Sequence, residues 1–326
     1  MQFFYFNVQL LPVVGDGDFV GKEGYKKVFE GCNEIVEHYW EKREIEKIAL
    51  ESRNNFHTFK PFKITEDYAS GYLKKFNQVD KLVQTYTDQT LFSADSLPAS
   101  SEAYDFYFFY SFEHHILALQ VGKRLPAVSV IKKIISHMLR DVSELLYPDH
   151  ALSVSLLSDH GLIADLNSKA SGFYNANITA TFNNSFDSFS QDQKELHDEL
   201  KEKGINKVQH QEKSARGGMM SGLSSFAMAL LILSIPSGQA TIRYLDSDTG
   251  KRESFNTDDR PVQIDVDVTE DDGKTYVSEE ELNSRINVSI PRAIQKSMVS
   301  GENLNKNMAL TEQENVQDAQ GDMDES

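Results

Sequence analysis

The sequence predicts an α+β protein: a ferredoxin-like βαββαβ half carrying an insertion, a second antiparallel α+β half, and a disordered acidic tail. Three observations predict it. Apolar residues recur at two-residue and at three- to four-residue steps in the order strand, helix, hairpin, helix, strand. With 326 residues and 40 % hydrophobic content, the chain can bury a real core. From about Ser300 it turns polar, acidic and short of large apolar residues. The expected division is 1–158 for the first α+β domain, 159–290 for the second, with a glycine-rich loop and antiparallel strands, and 300–326 for the tail.

Met1 to Phe6 lacks the positive region and the cleavage site of a signal peptide, so Phe3–Leu11 is read as the first strand, followed by Pro12, Gly15 and Gly17. Tyr25, Val28, Phe29, Cys32, Ile35, Val36 and Tyr39 then mark one stripe of an amphipathic helix, with Glu30, Glu34, Glu37, His38 and Glu41 on its other face. Residues 45–92 give a strand near Phe56–Ile64 and a short helix near Tyr72–Tyr86, and Ser93–Ser101 reads as a loop. Tyr104–Phe112 and Ile116–Val121 form a hairpin about Glu113-His114. Pro126 opens a second helix, whose apolar face is Val128, Ile131, Ile135, Met138, Val142 and Leu145, and Pro148 ends it. Leu152, Val154 and Leu156 alternate with serines as a half-buried strand.

In the second half, Tyr174–Phe182 alternates as a strand, and Ser190 with Gln193 caps a helix that stops at Gly204. Ile205–Glu212, Phe226–Ile235, Gln239–Leu245 and Arg252–Asn256 are candidate strands, and Val262–Val268 is the last. Ser278 and Glu281 cap a short helix. No ionisable side chain interrupts the chain between Arg216 and Arg243. Its apolar part, Phe226–Ile235, is too short for a membrane span and reads as a buried core strand or core helix.

The formal charge of −17 is concentrated from Asp258 onward. It argues against broad attraction to nucleic acid or an anionic membrane, but leaves room for a local basic groove. Cys32 is the only cysteine, which excludes an intrachain disulfide and a thiolate metal cluster and suits a reducing cytoplasm. No cofactor and no metal site are expected. His114 and His115, beside Glu113, are the candidate general bases for a phosphodiester cleavage; adjacent residues on a strand point to opposite faces, so at most one joins a given site. The alternative is a pair of polar residues at a hairpin turn. Aromatic residues of Tyr104–Phe112 either fill the core or stack exposed bases. Lys123, Arg124, Lys132, Lys133 and Arg140 lend that region a modest basic character. Gly217-Gly218 followed by Gly222 admits close approach of a ligand to the main chain, but the P-loop lysine and hydroxyl are absent. Arg124, Lys132, Arg216, Gly217 and Gly218 are thus the expected nucleic-acid-binding residues.

Four stretches together, Phe4–Pro12, Phe108-x-x-x-x-Glu113-His114, Thr181-Phe182-Asn183-Asn184 and Thr257-Asp258-Asp259-Arg260-Pro261, resemble an uncharacterised bacterial family. This is a domain of unknown function whose members occur near mobile-element or phage-defence genes, and the resemblance spans residues 1–268. It brings no catalytic residue with it. A fainter similarity is to CRISPR-associated RNA-processing proteins, which use ferredoxin-like domains and a late glycine-rich loop; Arg216-Gly217-Gly218 and Gly222 hold a comparable place, without the strongly basic surface those proteins have.

The expectation is therefore a cytoplasmic accessory protein of phage defence that binds RNA, DNA or a partner protein and does not engage a membrane. One rival is a metal-independent ribonuclease using His114 or His115. Another is a structural subunit whose acidic C-terminal region docks a partner.

Overall fold

The computed structural model describes residues 1–13, 20–79, 81–93, 99–181, 195, 198–200, 202–269 and 276–298. In chain order the elements are β1 (Gln2–Pro12), α1 (Lys22–Glu41), β2 (Leu50–Ser52), β3 (Asn55–Phe59), β4 (Lys63–Ile64), β5 (Tyr68–Phe76), β6 (Lys81–Val83), β7 (Thr90–Ser93), β8 (Ala103–Ser111), β9 (Ile116–Gln120), α2 (Val128–Leu146) and β10 (His150–Leu156). They continue as α3 (Gly161–Lys169), β11 (Ala170–Thr181), β12 (Lys207–Lys213), α4 (Ser225–Ser237), β13 (Gly238–Asp246), β14 (Arg252–Asn256), β15 (Gln263–Asp265) and α5 (Glu279–Ser297). Mixed helices and antiparallel sheets make the fold α+β. Gly15, Gly17, the Ser190–Gln193 capping box, most of the Ser93–Ser101 loop and the acidic tail lie outside the described residues.

Two compact units emerge, Met1–Leu156 with Gln263–Ala293, and Leu157–Val262 with the chain from Ile294 on. The first is therefore discontinuous in sequence. A division at residue 158 separates β15 from its partner, because Phe3 and Phe4 of β1 pair with Ile264 and Gln263.

In the first unit the strands run β10-β1-β9-β8-β5-β3-β2, each antiparallel to its neighbour. The two-residue periodicity of β1 and β8 sends Phe6, Val8, Leu10, Phe106, Phe108 and Tyr110 to one face. There they meet Val28, Phe29, Cys32 and Val36 of α1 and Ile131, Ile135, Leu139 and Val142 of α2. Phe29 stacks on Tyr110 at 4.2 Å between ring centroids. Each such buried side chain contributes about 1.5–3 kcal/mol.

The other face is held differently. Tyr5 Oη lies 2.6 Å from Ser289 Oγ, Tyr107 Oη donates to Asn283 Oδ1 at 2.6 Å, and Asn283 Nδ2 donates to Ser70 Oγ at 3.2 Å, all buried. Burial pushes the Tyr5 and Tyr107 phenols up to about 12. So α5 covers this face through a seam of Asn283, Ile286, Ser289, Ile290 and Ala293. Ser278 Oγ caps the helix as expected, accepting from Glu281 N at 3.2 Å, but the helix runs to Ser297 rather than stopping short. The polar residues in its seam hide the periodicity that would have marked its length.

The sequence reading is corrected at two further places. Tyr68–Phe76 is a strand paired with β8 along its whole length, not the start of a helix over Tyr72–Tyr86. Tyr72, Phe76, Val79, Val83 and Tyr86 imitate a helical stripe at steps of four and three, but cross-strand pairing with Phe106 to Phe109 wins. Of the two readings of Phe226–Ile235, core strand or core helix, the structure shows the helix, so the run is not one of the candidate strands. Ser224 Oγ accepts from Ala227 N at 3.1 Å and caps α4, whose Ala, Met and Leu are strong helix formers.

In the second unit the strands run β12-β11-β13-β14, all antiparallel. Ala176, Ile178 and Ala180 of β11, Ala240 and Ile242 of β13, and Phe255 of β14 pack with Ala227, Leu230, Leu231 and Ile235 of α4. α4 turns straight into β13 at Gly238. A Cβ there would stand 2.1 Å from Thr179 O, so only glycine admits that approach.

Candidate functional site

One face of the four-stranded sheet carries α4; among the described residues the opposite face is open. Directly opposed residues of antiparallel strands share a face, so the registers align that open surface into rows. Lys213, Asn175, Arg243 and Ser254 form the first. Gln211, Asn177, Thr241 and Asn256 form the second, and Gln209, Thr179 and Gln239 the third. Arg252 stands one step beyond the first row, with its guanidinium 4.4 Å from the centre of the Tyr174 ring. Tyr174 lies where the register of β11 shifts against β13. Lys207 stands at the other end of β12.

None of these residues is an acid, although the chain carries a net charge of −17. Asn177, Thr179, Gln209, Gln211, Gln239 and Thr241 line a shallow depression of about 520 Å³. Strand parity keeps the surface acid-free. Glu212 lies between Gln211 and Lys213 but points to the α4 side, where it accepts from Ser224 N at 3.2 Å and from Ser224 Oγ, with His210 Nε2 at 3.1 Å. Burial works to raise its carboxyl, but the bonds from Ser224 and His210 outweigh it and hold the group below the usual carboxylate range. Glu212 therefore fixes the start of α4 and is withdrawn from the open surface.

Amides and hydroxyls each offer donor and acceptor atoms, so the second and third rows can satisfy a partner with both. Lysine and arginine at one end attract anionic groups, and the Arg252–Tyr174 stack provides a planar step. The arrangement suits a polar ligand that carries negative charge along one side.

The residues singled out from sequence fall elsewhere or beside this surface. His114 and His115 occupy the β8–β9 turn. The His115 ring stacks on Tyr25 at 4.0 Å, its carbonyl accepts from Val8 N at 2.9 Å, and its φ of 55° lies in the left-handed region. His114 N donates to Ser111 Oγ at 3.4 Å. Arg124 lies at the opposite end of β9, in a left-handed conformation, its carbonyl accepting from Lys75 Nζ at 3.2 Å. Lys132 is half-buried on α2. These four belong to the first unit, whereas Arg216, Gly217 and Gly218 belong to the second. The glycine loop leaves β12 at Lys213, and Ser214 N donates to Tyr174 O at 3.0 Å, which starts the loop at the cationic row. Gly217 has φ of 80° with nothing near its missing Cβ, so the turn requires a glycine there. The aromatic strand is core: Phe106 to Phe109 are at most 3 % exposed.

Among the described residues, no group of three His, Cys, Asp or Glu side chains is placed to hold a metal ion, and no helix is long and apolar enough to cross a membrane. Sequence reasoning found β11, β12, β13 and β14 but took their polar positions only as the outer half of each alternation and not as one surface. The missed signal is the polar half, Asn175-x-Asn177-x-Thr179, Gln209-x-Gln211-x-Lys213 and Gln239-x-Thr241-x-Arg243.

Residues 5–286 match the sequence model of a domain of unknown function, DUF4747. The chain belongs to the DUF4747 family. No curated protein matches it. The DUF4747 region takes in parts of both units, the whole open sheet face and the first eight residues of α5.

Proposed function

We propose that this DUF4747 protein is a nucleic-acid-binding accessory protein, and that the open face of β12-β11-β13-β14 is its binding surface. The observation that carries the reading is an acid-free sheet face with Lys213, Arg243 and Arg252 at one end, in a strongly acidic chain. A polyanion is repelled by the chain at large and met by cations here. The first unit supports the same choice by elimination. Its strand order, in which β9 separates β1 from β8 and β1 separates β9 from β10, fits a ferredoxin-like split βαβ plan. Such sheets bind RNA on an exposed face, but here α5 covers that face and Tyr107 and Phe109 are buried. A cytoplasmic role in phage defence, as the sequence resemblance implies, belongs to this proposal.

The test is retention of the full-length protein on immobilised RNA and DNA at low salt. Gln211→Glu with Thr241→Glu, which places acids on the face, should abolish retention, while Lys132→Glu on α2 should leave it unchanged. A wild-type protein that binds no nucleic acid under these conditions would refute the reading.

A second reading, docking of a protein partner, has its own observation. The β6–β7 hairpin is exposed along its length and presents Leu82, Val83, Tyr86, Leu91 and Phe92 to solvent. Co-purification that disappears when Leu82 and Phe92 are changed to serine would favour it.

A further inference from the structure

We infer that the open face takes single-stranded nucleic acid laid across the four β-strands, with its phosphates along the cationic row and its bases over the amide rows. The inference rests on the nucleic-acid reading of this face and adds the class of ligand and its orientation.

The segregation of chemistry carries it. Lys213 on β12, Arg243 on β13 and Arg252 on β14 line one end of the face, so a path joining them crosses the sheet perpendicular to the strands. Neighbouring strands are about 4.8 Å apart, so four strands span roughly 14 Å. That width is comparable to the two or three bases held by RNA-binding sheets. Next to this path come Gln211, Asn177, Thr241 and Asn256, then Gln209, Thr179 and Gln239. Each amide offers an N–H pair and a carbonyl on the same side chain, the complement of a base edge. Charged groups are absent from those two rows, which suits bases and not phosphates. Lys207 stands beyond the third row on the edge strand, where an incoming or leaving strand would pass.

A duplex does not fit this chemistry. Its base edges lie inside grooves that a flat four-stranded face cannot enter, so only its phosphates would touch the protein. Unpaired bases can turn onto the amide rows, while the Arg252 guanidinium, held over the Tyr174 ring, stays with the phosphates.

The experiment is a salt titration of binding to a set of short single strands of differing sequence and to the matching duplexes, using the full chain. Wild type should bind single strands at least tenfold tighter than duplexes. Lys213→Ala with Arg243→Ala should weaken all sequences alike and reduce the slope of log affinity against log salt by about 1.4, two lost phosphate contacts. Asn177→Ala with Gln211→Ala and Thr241→Ala should leave the slope in place and flatten the ranking of sequences. All these positions are exposed or half-buried on one sheet face, and an unchanged thermal midpoint confirms that the variants fold. Equal affinity for duplex and single strand, or the same change of slope in both variants, overturns the row assignment while nucleic-acid binding stands. Absence of binding by wild type to every strand overturns both.

Discussion

Glu212 shows how much one residue's parity decides. Shifted by one position along β12 it would stand between Gln209 and Lys213 on the open face and cancel the nearest cation; as placed, it holds Ser224, the residue that caps α4. Gly238 is as constrained for a steric reason. Gly238→Ala would drive a methyl group against Thr179 O and should cost about 3 kcal/mol in urea denaturation. A cost below 1 kcal/mol would mean that β11 and β13 yield at that point. His57 sets a pH dependence. Its Nδ1 donates to Leu50 O at 3.2 Å, and burial holds its pKa below the ordinary value of 6.5. The native state therefore keeps the ring neutral while the unfolded chain takes up a proton as the pH falls. Stability from this residue is complete above about pH 6.5 and declines below it until the lower native pKa is passed. Denaturation midpoints measured from pH 8 to pH 5 should fall less steeply in His57→Gln. Neither Gly238 nor His57 announces this in the sequence: Thr179 O is remote in the chain from Gly238, and Leu50 O reaches His57 only through the pairing of β2 with β3. His114 and His115 illustrate the converse: visible as a pair, they are placed by turn geometry and a stack on Tyr25, which a linear reading cannot supply.

Elements were legible where one periodicity ran unbroken. α1, α2, β8, β9, β13 and β14 have one apolar stripe or clean alternation, and the sequence places them within a few residues. The sequence leaves α4 open between strand and helix because it is apolar all round, and hides the length of α5 because that helix buries Asn283 and Ser289 in its seam. That polar seam has a measurable cost of disruption. Asn283→Ala strands both the Tyr107 hydroxyl and Ser70 in a buried setting and should destabilise by about 2 kcal/mol, whereas Tyr107→Phe should cost about 1 kcal/mol. The double variant should cost less than the sum, and strict additivity would show that the two groups act independently. The β6–β7 hairpin is the opposite case, exposed along its strands and clamped at its base. Asn77 Oδ1 accepts from Ser101 N and Glu102 N, both at 3.0 Å, and Val79 N donates to Ala99 O at 2.8 Å. Replacing residues 80–98 with a short glycine-containing turn should leave the thermal midpoint of the protein within a few degrees, because the clamp that extends the β5–β8 ladder stays in place.

For the whole molecule, the sequence showed two halves but not that the first closes only after the second is complete. The return is invisible in composition: β15 offers a short apolar alternation, and its pairing to β1 spans most of the chain. The Leu157–Val262 segment of the second unit, by contrast, begins and ends at one place. Val262 N donates to Leu157 O at 2.8 Å, Asp159 N donates to Arg260 O at 2.9 Å, and Ser158 bridges Pro261. Residues 157–262 expressed alone should therefore give a mixed α/β circular dichroism spectrum and a cooperative melt, and a featureless melt would show that this segment needs the rest of the chain. The meeting of those two ends also sets an order of events on the ribosome. Synthesis delivers every strand of the inserted unit while the sheet begun at β1 still lacks β15 and the helix over Tyr5 and Tyr107. The middle of the message is thus finished first, and the nascent N-terminal sheet keeps an aromatic side uncovered until α5 emerges, an interval in which chaperones have the most to hold.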